Sequence, residues 1–204
     1  MSAHPQRPIF VSIRIAAPLE RVWELTQDPA LHPRWDVRFS RITPAAALPG
    51  GGMRFVYERR MPGRTITGKG TTIGERERPD GTRTSALRFE PDDRFSPLGA
   101  GRGYWRYRPD GDAVVFSTGY DYDPGWGRAA DLIVRPLIGW ATAWSFDLLR
   151  IWAETSVPPE RWPLWTVLMP WRRGRPRAAH CARRPPSRRV MDDAPATLRE
   201  LARP

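Results

Sequence analysis

Residues 9–15, IFVSIRI, alternate: Ile9, Val11, Ile13 and Ile15 fall on one face, Ser12 and Arg14 on the other. A period of two with one apolar face predicts a half-buried strand. Pro18 then suits a first helical turn, and Val22 and Leu25, with Trp23 beside them, make a short amphipathic helix ending before Asp28-Pro29. A second short helix or turn over residues 29–33 leads into Trp35-Asp36. Strand-like runs follow, split by turn signals. Residues 37–43 alternate weakly, and residues 49–52 (PGGG) read as a turn. Met53, Phe55 and Tyr57 share one face of the next run, Pro62-Gly63 turns the chain, and residues 64–78 form a long polar strand. Asp80-Gly81 and Asp110-Gly111 are strong hairpin signals. Residues 83–90 and 103–108 are strands, with Trp105 and Tyr107 on one side of the second. Residues 113–122 place Val114, Phe116, Thr118, Tyr120 and Tyr122 on one face.

From about Arg128 to Glu154 the period changes. Ile133, Leu137, Trp140, Trp144, Leu148 and Ile151 recur at helical spacing. At 1.5 Å per residue such a helix is roughly 40 Å long. Pro136 lies inside it and is expected to kink or split it, because proline lacks the N–H that the helix needs. The order is strand, two short helices, about six strands in hairpin succession, and one long helix. This predicts an α+β domain whose antiparallel sheet is covered by the long helix. The domain is expected to span residues 1–156, with Pro158-Pro159 marking its end.

Residues 157–204 differ in kind. WPLWTVLMPW, residues 162–171, is aromatic and apolar, and residues 161–189 hold nine Arg and no acid. Nine prolines across the tail argue against a second packed domain. A largely disordered or surface-lying segment is expected, and a protein lacking residues 158–204 should still fold. The tail carries eleven Arg against four acids, so most of the chain's +11 charge belongs to it. Trp162, Trp165 and Trp171 beside Arg172 to Arg177 suit an anionic membrane surface. No DNA- or RNA-reading motif accompanies the charge, so nucleic acid is not an expected partner.

Hydrophobic residues make up 40% of the chain, enough for one ordinary core. Cys181 is the only cysteine, so no intramolecular disulfide is possible. The N-terminus lacks the apolar run of a signal peptide. The most apolar stretch, Leu132 to Ile151, carries Arg135, Asp147 and Arg150, and charge at membrane depth is expensive. A cytoplasmic protein, peripheral to a membrane at most, is the expectation.

Two segments resemble a known family. Residues 13–36, IRIAAPLERVWELTQDPALHPRWD, are similar to the opening strand, the "aP-x-x-x-V-W" helix and the "P-x-W-D" junction of the START-related SRPBCC superfamily. That group includes polyketide cyclases and lipid-transfer domains. Residues 119–154 are similar to its last strand and C-terminal helix. The resemblance covers about residues 8–155 and implies a helix-grip fold: a curved antiparallel sheet of about seven strands wrapped around the long helix. It also implies a deep cavity that accepts lipids, quinones, polyketides or hormones.

By strand parity Phe55, Tyr57, Trp105, Tyr107, Phe116, Tyr120 and Tyr122 share the concave face, with Trp140, Trp144 and Leu148 from the helix and Trp35 at the pocket mouth. Such residues either fill a core or line a pocket. The tyrosines matter most, since a buried phenol needs a hydrogen-bond partner and can fix a ligand's carbonyl or hydroxyl. Arg59 shares parity with Tyr57 and either points inward toward an anionic group or lies at a strand end in water. His4, His32 and His180 are isolated, and no His or Cys pair has metal-ligand spacing. No phosphate loop and no Ser-His-acid arrangement can be assembled, so neither a metal nor a cofactor is expected. Asp36 and Asp121 are the candidate general bases, both expected near the surface. The leading reading is a non-catalytic carrier of an apolar, lipid-, quinone- or polyketide-like molecule. A cofactor-free cyclase or dehydratase is the second. An interaction module with a basic tail and a vestigial cavity is the third.

Overall fold

A computed structural model describes residues 8–48, 52–186, 190–195 and 198. Seven strands run β1 (Ile9–Ile15), β2 (Arg41–Leu48), β3 (Gly52–Met61), β4 (Arg64–Glu77), β5 (Arg83–Pro91), β6 (Leu98–Asp110) and β7 (Ala113–Pro124). They form one antiparallel sheet in the order β1-β7-β6-β5-β4-β3-β2. Two short helices, α1 (Leu19–Gln27) and α2 (His32–Trp35), follow β1, and the long helix α3 (Gly127–Thr155) follows β7. This is the helix-grip architecture. The turns at Asp80-Gly81 and Asp110-Gly111 use glycines at φ 75° and 66°, the left-handed conformation that tight hairpins demand. Most of the expected turn over 49–52 lies outside the described residues.

The weakly alternating segment becomes β2, starting later than expected, at Arg41. Its residues are mostly exposed, and its register shifts between Pro44 and Ala46. An edge strand with a bulge tolerates proline, which cannot donate to a ladder. Strand β6 is longer than its pattern predicts. Its first residues include Gly99, Gly101 and Gly103, which show no hydropathic alternation.

The core gathers where α1, α2 and the second half of α3 meet β1 and β7. Val11, Ile15, Val22, Leu25, Trp35, Phe116, Trp144, Phe146 and Leu149 are all buried there. Helix α3 runs as one element through Pro136, so the expected split does not occur. Proline leaves one carbonyl unpaired within a helix, and that group falls in the exposed half. Leu132, Ile133 and Leu137 are 79%, 68% and 57% exposed, whereas almost every residue from Thr142 to Leu149 is buried. The first turns of α3 are held to β7 through Asp131 and Arg135 at Tyr122 and turn their apolar side chains outward, so Ile133 and Leu137 of the expected stripe do not pack.

Beyond Ser156, which ends α3 in the left-handed conformation, the chain stays against the domain through short 3-10 turns. Trp162 joins the main core. The buried carboxylate of Asp147 accepts hydrogen bonds from Arg150 Nε (2.7 Å) and the Arg177 backbone N–H (2.8 Å), and lies 2.8 Å from His180 Nδ1. Cys181 Sγ donates to the Ala143 carbonyl at 3.2 Å, and burial pushes its thiol up to about 12. Ser12 of β1 exchanges two backbone hydrogen bonds with Ala182, each 2.9 Å. On the sheet's outer face, Val190 accepts a hydrogen bond from Tyr104 Oη at 3.0 Å. The segment supplies residues to the main core, and farther along Met191, Ala194 and Leu198 pack with Ala86 in a separate small apolar cluster. The short helix expected over 192–203 lies largely outside the described residues.

Candidate functional site

Strands β3 to β6 extend past the packed half of α3, and the space between them is a cavity of about 290 Å³. Phe55, Tyr57, Arg59 and Met61 face it from β3, Ile66 from β4, Leu87 and Phe89 from β5, and Trp105 from β6. Ile138, Trp140 and Ala141 close it from the helix side, Val37, Arg38 and Phe39 from the segment after α2, and Leu164 from the tail. The wall is almost wholly apolar, and among the described residues no Asp, Glu or His belongs to it. A smaller space of about 50 Å³ adjoins it, sharing Phe39, Phe55, Leu87 and Trp105. A dent of about 310 Å³ on the sheet's outer face, beside Arg88, Glu90, Arg102 and Asp121, is polar and open. It has none of the enclosing apolar surface that a small-molecule pocket uses.

Glycines shape the cavity. A Cβ at Gly70 would stand 2.2 Å from the Phe55 ring, and one at Gly68 would stand 2.3 Å from Tyr57 Oη. These residues lie directly opposite each other in the β3–β4 register. The two rings therefore lie flat across β4 instead of standing into the space, which keeps it open. The alternating glycines of residues 68–70, GKG, carry this signal in the sequence, since strand glycines mark close approach.

Of the eleven residues proposed from the sequence, Phe55, Tyr57, Trp105, Tyr120 and Trp140 are brought together on the cavity wall. Trp35, Tyr107, Phe116, Tyr122, Trp144 and Leu148 are buried in the adjoining core instead. Among the described residues Trp144 Nε1 is buried without a hydrogen-bond partner, whereas the polar groups of Trp35, Tyr107 and Tyr122 are engaged. Trp35 Nε1 donates to the Leu25 carbonyl at 2.8 Å, and Tyr107 Oη lies 2.7 Å from both Thr26 Oγ1 and Gln27 Nε2. Tyr122 Oη donates to Asp131 at 2.8 Å, and burial followed by that carboxylate holds the phenol above its usual range. Tyr120 reaches the wall, but its hydroxyl lies 2.7 Å from Thr142 Oγ1. Among the described residues the Tyr57 hydroxyl has no hydrogen-bond partner, and burial, then Asp92 and Glu90, push its pKa upward.

Asp36 is not at the surface as expected. It is fully buried, with Arg38 Nε at 2.9 Å from one oxygen and the Arg38 terminal nitrogen at 2.6 Å from the other. His32 Nε2 lies 3.2 Å from the same carboxylate, and its ring stacks on Trp35 at 4.9 Å. Burial alone would raise the Asp36 carboxyl, but Arg38 overrides it and holds it well below the usual carboxylate range. Such a carboxylate is a poor proton acceptor at neutral pH. Burial lowers the His32 pKa despite Asp36, so the ring stays neutral. Asp121 lies on the opposite side of the sheet, at the outer dent. Neither candidate base reaches the cavity. Arg38, Phe39, Leu87, Phe89, Ile66 and Leu164 went unrecognised in the sequence. Leu87 and Phe89 alternate on a predicted strand and were findable; Leu164 sits in a segment that carried no core signal.

A long helix gripped by a curved antiparallel sheet, with an apolar space between them, defines the helix-grip class of fold. Residues 9–150 match the family described as "Polyketide cyclase / dehydrase and lipid transport", and the chain belongs to that family. A Bacillus subtilis (strain 168) protein described as "Uncharacterized membrane protein YndG" is 41% identical over 162 residues, which cover 76% of this chain and 60% of that protein. The chain thus spans less than two thirds of that relative's length. Two solved structures share the fold. One is a STAR-related lipid transfer protein from Xanthomonas axonopodis: TM-score 0.54, 17% identity, 68% of this chain and 81% of that one. The other is the Zhui aromatase/cyclase from Streptomyces sp. R1128: TM-score 0.51, 13% identity, 74% of this chain and 98% of that one. Among the described residues no helix is long and apolar enough to cross a membrane.

Proposed function

We propose that this chain is a binding or carrier protein for an apolar small molecule held between the sheet and α3. The observation that carries the reading is the cavity wall. It is apolar and aromatic; among the described residues it holds no carboxylate or imidazole, and His32, which lines the adjoining smaller space, is tied to Asp36. A positioned general base speeds cyclisation or dehydration; Asp36, the nearest carboxylate candidate by sequence, is already paired with Arg38 and His32. Apolar burial supplies the affinity, at about 25 cal/mol per Å² before the costs of association. Native mass spectrometry of the purified protein tests this. A co-purified small molecule, or saturable uptake of a neutral apolar dye that Trp140→Ala abolishes, is expected. Uptake of no apolar compound at all would leave the interaction-module reading.

The tail forms part of the same proposal. Leu164, Trp165, Leu168 and Trp171 are 40–75% exposed, in a stretch continuous with Arg172, Arg173 and Arg175. Indole rings and guanidinium groups in that arrangement suit an anionic lipid surface. A relative described as a membrane protein points the same way. Co-sedimentation with vesicles containing phosphatidylserine is expected at low salt, weakening as salt rises. Indifference to such vesicles would leave the tail as a solvated face.

A further inference from the structure

Arg59 is the cavity's unanswered charge. It follows Tyr57 on the concave face of β3, stands opposite Ile66 in the sheet register, and lies one inward position before the exposed strand end at Met61. The sequence allowed it to lie in water; the structure puts it half-buried in the cavity wall. Among the described residues it has no hydrogen bond and no ion pair. Burial lowers its pKa, and only Asp36 opposes this, from beyond contact distance. Asp36 is itself neutralised by Arg38. Among the described residues the wall therefore holds two guanidinium groups and no acid, and one of the two is spoken for. A desolvated cation without a counter-charge is costly in a protein interior. A neutral ligand would worsen that cost by expelling water from around Arg59, whereas an acidic one would remove it.

We infer that the ligand is an anionic amphiphile, with an apolar chain or ring system in the cavity and a carboxylate or phosphate head paired with Arg59. The inference rests on the carrier reading and adds the class of head group. The planar guanidinium presents paired N–H donors that match a carboxylate or phosphate edge in bidentate fashion. The Tyr57 hydroxyl, on the adjacent inward position of β3 and without a partner of its own, supplies a further donor at the same end.

The test compares dodecanoate, dodecyl phosphate and dodecanol as probes of equal chain length, titrated into the full chain at neutral pH. Wild type is expected to bind one or both anions at least about tenfold more tightly than the alcohol, the scale of a charge-assisted hydrogen bond. The tighter of the two anions identifies the head. Arg59→Met should erase the anions' advantage so that the three probes bind alike, let dodecanol bind more tightly than it does to wild type because the desolvation cost is gone, and raise the melting temperature of the ligand-free protein. Arg59→Lys should keep part of the preference. Equal affinity of wild type for dodecanol and both anions would overturn the head-group assignment and leave the carrier reading intact. If none of the three binds, both fall together.

Discussion

Trp140 and Trp144 are one helical turn apart and have opposite surroundings. Trp144 is 1% exposed in the packed core, whereas Trp140 is partly buried at the cavity wall. Trp144→Ala should therefore cost about 3–5 kcal/mol of stability, as deletion of a core aromatic does. Trp140→Ala should cost less and act on ligand binding instead. Denaturant melts of both variants, with and without an apolar probe, check the pair. His32 and Asp36 set the acid response. His32 is buried neutral, so the unfolded state takes up its proton first; its contribution is whole above about pH 6.5 and declines as pH falls. The folded-state pKa of Asp36 is depressed, so its contribution is whole above about pH 4 and is lost below that. Both effects make the protein less stable in acid. His32→Gln should flatten the upper part of that decline and leave the lower part in place, as melting temperature against pH would show.

The strands and helices were legible because the chain keeps its periods clean. Alternation in residues 9–15 and 113–122 and helical spacing after Arg128 gave elements within a few residues of those formed. Strand parity also named four of the cavity residues, since side chains two apart must share a face, and helical spacing named the fifth, Trp140. It did not separate cavity from core. Tyr107 and Trp105 share a face of β6, yet only Trp105 reaches the cavity, because α1 covers Tyr107 through Thr26 and Gln27. That distinction depends on how far each covering helix extends along the sheet, which no local pattern encodes. The segment after α3 was the least legible element. It has no period, yet it seats Trp162 in the core and gives Asp147 its Arg177 partner. Deleting residues 158–204 is therefore expected to lower the melting temperature markedly, because it uncovers apolar surface and strips partners from a buried carboxylate. A melt of the truncated protein matching the full chain would show these contacts to be idle.

At the scale of the whole molecule, charge and shape are divided between two surfaces. Met61, Phe95 and Trp126 are 42–57% exposed, and Leu132 and Ile133 of the first turns of α3 also face water. Arg64 sits over the Phe95 ring at 4.2 Å, and Trp126 Nε1 donates to the Phe95 carbonyl at 2.9 Å. If these side chains meet lipid, Leu132→Asp together with Ile133→Asp should reduce vesicle binding without lowering the melting temperature, since both side chains already face water. Equal binding by the double variant would assign the contact to the tail alone. The opposite margin of the fold carries a different consequence. Strand β1 has β7 on one side only, and on its free side Ser12 meets Ala182. An open strand margin is a template on which another chain can pair. The tail occupies the middle of that margin, so a proteolytic nick ahead of Ala182 would turn a covered edge into a sticky one. The damage would show first as self-association that grows with protein concentration.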